Sequence, residues 1–500
     1  MWPTNAPNRV IYVTVHGSGS IAGVDNVQVR TSVDRTWDSD ILPSLSDLVR
    51  IPAVSVMFDT NWAASGHLDA AAEHLRAWLA ARDLPGATVE ILRLPGRTPV
   101  VLLDVPATEG MPADGGTVLL YGHLDKQPPV GGWSPGLGPW TPVIRGDRLY
   151  GRGAADDGYS GYAATTAIEA VRAAGGEHAR CLVLLETSEE SGSPDLDAYL
   201  AEYRDRLGDI SLVVCLDSGG QDYERLWLTT SLRGLCSVTA TVTVLDSGQH
   251  SGSASGIVPS SFRIFRQLLD RIEDARTGEI LLPELHGDIP ADRAAEMKAF
   301  TDLAPGAARS AFPLVDRMSP ASDDDYELMA NNAWRPTLSV IGGAGLPLPE
   351  EAGNVLRPFT TLTLSFRLPP LTDPAVALAA VERALTTDVP YGANVTLSRQ
   401  ETGPGWNAPP TAPWLQAALD EVSTAVFDGS QWLTLGLGGS IPFMGSLGEA
   451  YPAAQFVVTG ALANDSNPHV PDEWLHIPQA KRVTESVALL LDAHARANQA

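Results

Sequence analysis

Short continuous apolar runs set the frame for this chain: VVLLDV (100–105), TVLLYG (117–122), CLVLLE (181–186) and SLVVCLD (211–217). Apolar residues that continue without alternation mark strands covered on both faces. VEILRL (89–94) reads as one more strand. Between the runs, HLDAAAEHLRAWLAARDL (67–84) and GYAATTAIEAVRAAGG (161–176) repeat apolar residues at helical spacing, and the second ends in a glycine cap. Strands interleaved with helices predict an α/β domain, its mixed, mostly parallel sheet flanked by helices.

The character changes near Arg233. LCSVTATVTVLD (235–246) alternates strictly, as a strand with one wet face does. TLSVIGGAG, TLTLSFRLPP and NVTLSRQ read as further strands of such a sheet, with helices at SSFRIFRQLLDRIEDA and at 374–387. From about 403 the α/β style returns, with a helix at 413–426, a strand at 454–460 and a long helix from about 478. The expected plan is a catalytic domain in two parts, 33–232 and 403–500, with an inserted α+β lid or dimerisation domain at 233–402. Residues 1–32 read as a loosely strand-like leader of unclear role. Gly17, Gly19 and Ala22 match a dinucleotide-binding fingerprint, but GVDNVQVRTSVD after them alternates like a strand where that fingerprint needs a helix.

A length of 500 residues favours more than one domain, and 44% hydrophobic with 19% charged residues is a globular composition. No apolar run approaches the ~20 residues of a membrane span, and the N-terminus lacks the pattern of a secretory signal. The three cysteines, Cys181, Cys215 and Cys236, lie in apolar strands and read as buried free thiols, which makes the cytoplasm the expected location. A formal charge of −26 disfavours a nucleic-acid partner.

Several apolar strands end in side chains that can hold metals. YGHLD brings His123 and Asp125, ETSEE brings Glu189 and Glu190, and CLDS brings Asp217. GRGAADDG offers Asp156 and Asp157 before a helix, and NPHVPDE offers His469. Ligands of α/β sheets bind beyond the carboxyl ends of the strands, so these groups can converge on one cleft. Imidazoles and carboxylates together are the donor set of hydrolytic zinc, cobalt or manganese sites. A His-Glu-x-x-His motif is absent from the sequence.

The ordered blocks YGHLDKQP, PWTPVIRGDRLYGRGAADDG, EESGSPDLD, CLDSGG, TTSLRGL, QHSGSASG, RPTLSVIGG, GGSIPF and NPHVPDEWL resemble the M20 family of metallopeptidases. Within it they resemble the cytosolic dipeptidases of the carnosine-dipeptidase type, over roughly residues 36–495. The resemblance implies two divalent ions, zinc by default with Mn2+ or Co2+ as alternatives. His123 and Asp217 would hold one ion, Glu190 and His469 the other, and Asp156 would bridge them. Glu189 would be the general base toward a water between the ions, and Asp125 would orient His123. His250 would polarise the scissile carbonyl, reaching in from the partner of a homodimer. Arg367 would grip the substrate carboxylate, with Asn354 and Ser440 as further substrate contacts.

The implied reaction is hydrolysis of a dipeptide or similar small carboxylate-bearing amide. An N-acyl-amino-acid deacylase or carbamoyl-amide hydrolase on the same site is the alternative. A silent binding protein would have lost a ligand or the base, and all of these positions are retained. The run DDGYSG lacks the lysine that usually follows the paired aspartates, and CLDSGG lacks the aromatic residues common in dipeptidases. Lys126 is expected beside the site.

Overall fold

The computed structural model describes residues 24–499 apart from Ala113, Ala311, Ser440 and Asn464. A six-stranded sheet takes the strands in the order Thr88–Leu92, Val100–Val105, Arg180–Glu186, Thr117–His123, Ile210–Cys215 and Gln455–Val458. The last four run parallel to one another, and the first two pair antiparallel at one edge. All seven residues of Thr117–His123 are buried. Val118 and Leu120 enter the core on one face, Leu119 and Tyr121 that on the other, as the two-residue period of a strand requires. The continuous apolar runs have this cause: helices or loops cover both faces.

On one face the helices Ser160–Ala173 and Ile477–Gln499 pack together, and Val487–Leu491 of the second is buried without a break. The fold class expected from the sequence is thus observed, with a mostly parallel sheet flanked by helices and separate antiparallel sheets. One of these orders its strands Thr337–Ala344, Phe359–Leu368, Gly234–Thr243 and Asn394–Gly403. Cys236, Val238, Ala240 and Val242 alternate into its core, under the helices Ser261–Leu269 and Pro374–Thr386. A third, three-stranded sheet centres on Trp227–Leu232, between Trp406–Asn407 and Leu433–Leu437. The chain passes close to itself where these sheets meet: a Cβ on Gly405 would fall 2.5 Å from the Pro370 carbonyl oxygen and 2.9 Å from the Gly234 nitrogen.

The strand-like reading of GVDNVQVRTSVD (23–34) is wrong from residue 26 on. Asn26–Thr36 is an α-helix, and it runs across the expected 32/33 boundary. The Asp25 side chain caps it, accepting from the Val27 and Gln28 amides at 3.0 and 3.2 Å. Val29, Val33 and Thr36 share its buried face, against the helices Ser160–Ala173 and Ile477–Gln499. Its β-branched residues imitate a strand, and tertiary packing overrides that preference. The reason for setting aside the glycine fingerprint therefore fails, while Gly17, Gly19 and Ala22 themselves lie outside the described residues.

Trp37, fully buried, donates its indole N–H to Thr484 Oγ1 at 3.0 Å and ties this N-terminal segment to the C-terminal helix. Replacing Trp37 with Ala is expected to cost about 3–5 kcal/mol in guanidinium unfolding. Val27→Ala, on the exposed face of the same helix, should stay within about 0.5 kcal/mol of wild type. Equal effects would show that the segment is not part of the cooperative core.

Candidate metal centre

His123 is the last residue of the central strand, Glu189 and Glu190 form a single turn just after Arg180–Glu186, and Asp217 follows Ile210–Cys215. Three parallel neighbours thus deliver their C-terminal side chains to one place. Asp156 and Asp157, joined by a cis peptide, arrive on the loop before the helix Ser160–Ala173, and His469 on the loop after Gln455–Val458. Gly122 permits this close approach, since a Cβ there would lie 2.0 Å from Ser160 Oγ.

Asp156 stands between the two imidazoles. Its Oδ1 is 3.3 Å from His123 Nε2 and its Oδ2 is 2.9 Å from His469 Nε2. Glu190 Oε2 lies 3.3 Å from the same nitrogen of His469. On the other side, His123 Nε2 is 3.8 Å from Asp217 Oδ1 and 4.0 Å from Glu189 Oε2. Donor atoms of His123, Asp156 and Glu190 form one group within 4.8 Å of each other, and those of His123, Glu189 and Asp217 form a second.

Burial, then the Asp217 charge, push Glu189 well above the usual carboxylate range. Burial and the Asp156 charge do the same to Glu190, and Asp217 is raised chiefly by burial. For Asp156, hydrogen bonds from His123 and His469 outweigh the burial and hold it below the ordinary range. Burial opposes protonation of His469, but the bond to Asp156 prevails and brings it to about 9. Such a crowd of carboxylates is destabilising without cations. The residues also have room for them: Glu190 Oε1 and Asp157 Oδ1 are buried without a hydrogen-bond partner. Imidazole and carboxylate donors in two adjoining groups that share His123 fit a pair of divalent ions.

Asp125 touches both His123 and the glutamate turn. His123 Nδ1 meets its backbone carbonyl at 3.0 Å and its carboxylate at 3.5 Å. The carboxylate accepts the amides of Glu189 and Glu190 at 3.1 and 3.0 Å, so it holds the Glu-Glu turn as well. Lys126 turns away from the cleft, contrary to expectation. Its ammonium donates to the carbonyls of Leu48 and Ile51 at 2.7 and 2.8 Å, at the end of the helix Leu42–Arg50, and burial lowers it to about 7.

Two carboxylates escaped the sequence reading as positioning groups. Asp157 Oδ2 accepts the His123 amide at 3.2 Å. Glu473, fully buried, accepts from Arg152 Nη1 at 2.8 Å and from the amides of Gly153, Ala155 and Asp156 at 3.1–3.3 Å. It lies four residues after His469, so one loop carries both that imidazole and the clamp on the Asp156 loop. Its only sequence signal was its place inside the NPHVPDEWL block.

A cleft of about 320 Å³ opens on the cluster, lined by Asp156, Glu189, Asp217 and His469 with Gly219 and Gln221 among others. His250, Asn354 and Arg367 do not line it. His250 is exposed in a short pairing with Val355, and the Ser251 amide bonds the Asn354 carbonyl at 2.9 Å, so these two expected residues meet at one short two-stranded ladder. Arg367, partly buried, stands opposite Thr337 in the four-stranded sheet. Ser440 lies outside the described residues.

Residues 119–493 match peptidase family M20/M25/M40. A cysteinylglycine-S-conjugate dipeptidase of Corynebacterium striatum is 28% identical over 388 residues, covering 76% of this chain and 81% of that protein. Among solved structures, the dipeptidase Dug1p of Saccharomyces cerevisiae aligns with a TM-score of 0.75 at 21% identity, over 94% of this chain and 99% of that one. Human carnosine dipeptidase 1 aligns at 0.74 and 22%, over 94% and 100%. With a family match over most of its length and a carboxylate–imidazole centre at the ends of its parallel strands, the chain belongs to peptidase family M20/M25/M40 and is a hydrolase of the metallopeptidase kind.

Proposed function

We propose that this protein hydrolyses the peptide bond of a dipeptide, or of a similarly small amide with a free carboxylate. The observation that carries the reading is Asp156 shared between His123 and His469, with Glu189 beside it. His123 and Asp217 would hold one cation and Glu190 and His469 the other, with Asp156 between; zinc is the proposed ion, manganese and cobalt the alternatives. Bound there, two such cations would supply the Lewis acid that polarises the amide carbonyl and eases ionisation of water.

Glu189 is the proposed base. Of the carboxylates that line the cleft, it is the one this assignment leaves without a cation. It takes a proton from the attacking water and passes it to the leaving amine nitrogen. Asp125 keeps that carboxylate and Glu190 in register through their two amides. Arg367 would meet the substrate's carboxylate, and His250 would complete the site of a partner subunit. The relative's action on cysteinylglycine S-conjugates, as its name states, supports a dipeptide-sized substrate. Buried free thiols at Cys181, Cys215 and Cys236 suit the cytoplasm as its place. No helix among the described residues is long and apolar enough to cross a membrane.

Homodimer formation is part of the proposal. The strand Thr337–Ala344 is an edge of its sheet and exposes Val340 (52%) and Ile341 (65%), with Leu346 and Leu348 exposed just beyond. An unpaired apolar edge of this kind invites another chain.

Metal analysis beside dipeptide hydrolysis tests the mechanism. Glu189→Gln should keep about two metals per chain while kcat falls about 10²–10⁴-fold; undiminished turnover would sink the assignment. Asp125→Asn leaves one of the two amides facing an N–H instead of an acceptor, so metal affinity by competitive chelation should drop about 10–100-fold. Ile341→Lys should yield monomers in sedimentation, with metal content kept and activity lost. An active monomer would show that the site needs no partner.

A further inference from the structure

A second chamber adjoins the metal cleft. It measures about 510 Å³, and its walls include Phe312, Leu314, Leu328, Met329, Leu435 and Leu437. Gln221 and Leu437 line both this chamber and the cleft, so the two spaces meet at a common wall. The volume lies inside the range of about 300–1,000 Å³ typical of small-molecule sites, and an apolar lining with a few polar groups is their usual character.

The side of the cluster on which it lies follows from the arginines. The Arg233 guanidinium lines the chamber, donating to the Gly438 and Asn331 carbonyls at 3.1 and 3.3 Å and to Thr337 Oγ1 at 3.2 Å. Thr337 lines it too and pairs directly with Arg367 across the strands. Burial, and after it repulsion from Arg367, lower Arg233 to about 10, so the two cations are near neighbours. A substrate whose carboxylate meets Arg367 therefore has its carboxyl-terminal residue beside the chamber.

One wall carries apolar surface that no other part of the described chain covers. Phe312 (66% exposed), Leu314 (45%), Val315 (75%) and Met318 (62%) follow one another on the segment between the helices Ala307–Ser310 and Asp325–Ala333. Phe312 and Leu314 of this segment face the chamber, and an apolar group inside it would remove part of that surface from water.

We propose that this chamber receives the side chain of the substrate's carboxyl-terminal residue and selects large apolar side chains. The proposal rests on the dipeptidase reading above. Leu328, partly buried on the helix Asp325–Ala333, is a specificity-determining residue in this view.

Two peptide series on the metal-loaded enzyme test it: Gly-Ala, Gly-Leu, Gly-Phe and Gly-Trp, and their reversed counterparts. kcat/KM should rise on the order of tenfold or more from Gly-Ala to Gly-Trp, with no such rise in the reversed series. Leu328→Trp, which fills the chamber, should bring the Gly-Trp to Gly-Ala ratio to within about threefold of unity. Phe312→Ser, at an exposed position that folding tolerates, should lower that ratio about fivefold. Equal rises in both series, or a preference that survives both variants, would overturn the chamber's role.

If no peptide is cleaved, the dipeptidase reading falls, and calorimetry with free L-tryptophan and L-alanine decides the chamber separately. Tighter tryptophan binding that Leu328→Trp abolishes sustains it. Equal binding of the two amino acids refutes it.

Discussion

Three buried carboxylates bind backbone amides and so hold the loops on which the rest of the site depends. Asp125 takes the amides of Glu189 and Glu190, Asp157 that of His123, and Glu473 those of Gly153, Ala155 and Asp156. Loops at the ends of parallel strands have no ladder to fix them, and their amides would otherwise be buried without partners. A charged acceptor satisfies several at once and forms stronger bonds than a neutral one. The cluster residues are thus held by groups that stand behind them, so their own donor atoms stay turned toward the cleft.

This arrangement concentrates negative charge. Glu189, Glu190, Asp156, Asp157 and Asp217 crowd around two imidazoles, and four of the five are pushed toward protonation by burial and by one another. Asp156 is the exception because both histidines bond it. Cations are the natural complement, and a carboxylate not needed to hold them is left to accept and pass on protons. A single tight turn sends the side chains of the adjacent glutamates to neighbouring points, Glu190 toward His469 and Glu189 toward His123, as the proposed division of tasks requires.

The antiparallel sheet contributes from a distance. Its strand Phe359–Leu368 brings Arg367 opposite Thr337, which lines the apolar chamber, while His250 and Asn354 meet at a short two-stranded ladder that does not line the cleft. In the proposed function, chemistry and recognition therefore fall to different sheets. They join where Gly234, Pro370 and Gly405 let three passes of the chain touch.

The fold class and the metal-competent residues were legible in the sequence, because continuous apolar runs and the polar groups that end them are local signals. The strands at 117–123, 180–186 and 210–215, the alternating strand at 234–243 and the C-terminal helix lie where the patterns put them. Residues 26–34 misled, since valines and threonines spaced for a helix face also imitate a strand, and only packing against distant helices resolves the two. Lys126 misled for a similar reason: adjacency to a motif does not say which way a side chain turns. Tertiary structure alone decided that Asp125 holds the glutamate turn, that Glu473 clamps the Asp156 loop, and that an apolar chamber shares a wall with the cleft. Each joins segments scores to hundreds of residues apart, and local spacing carries no record of such contacts.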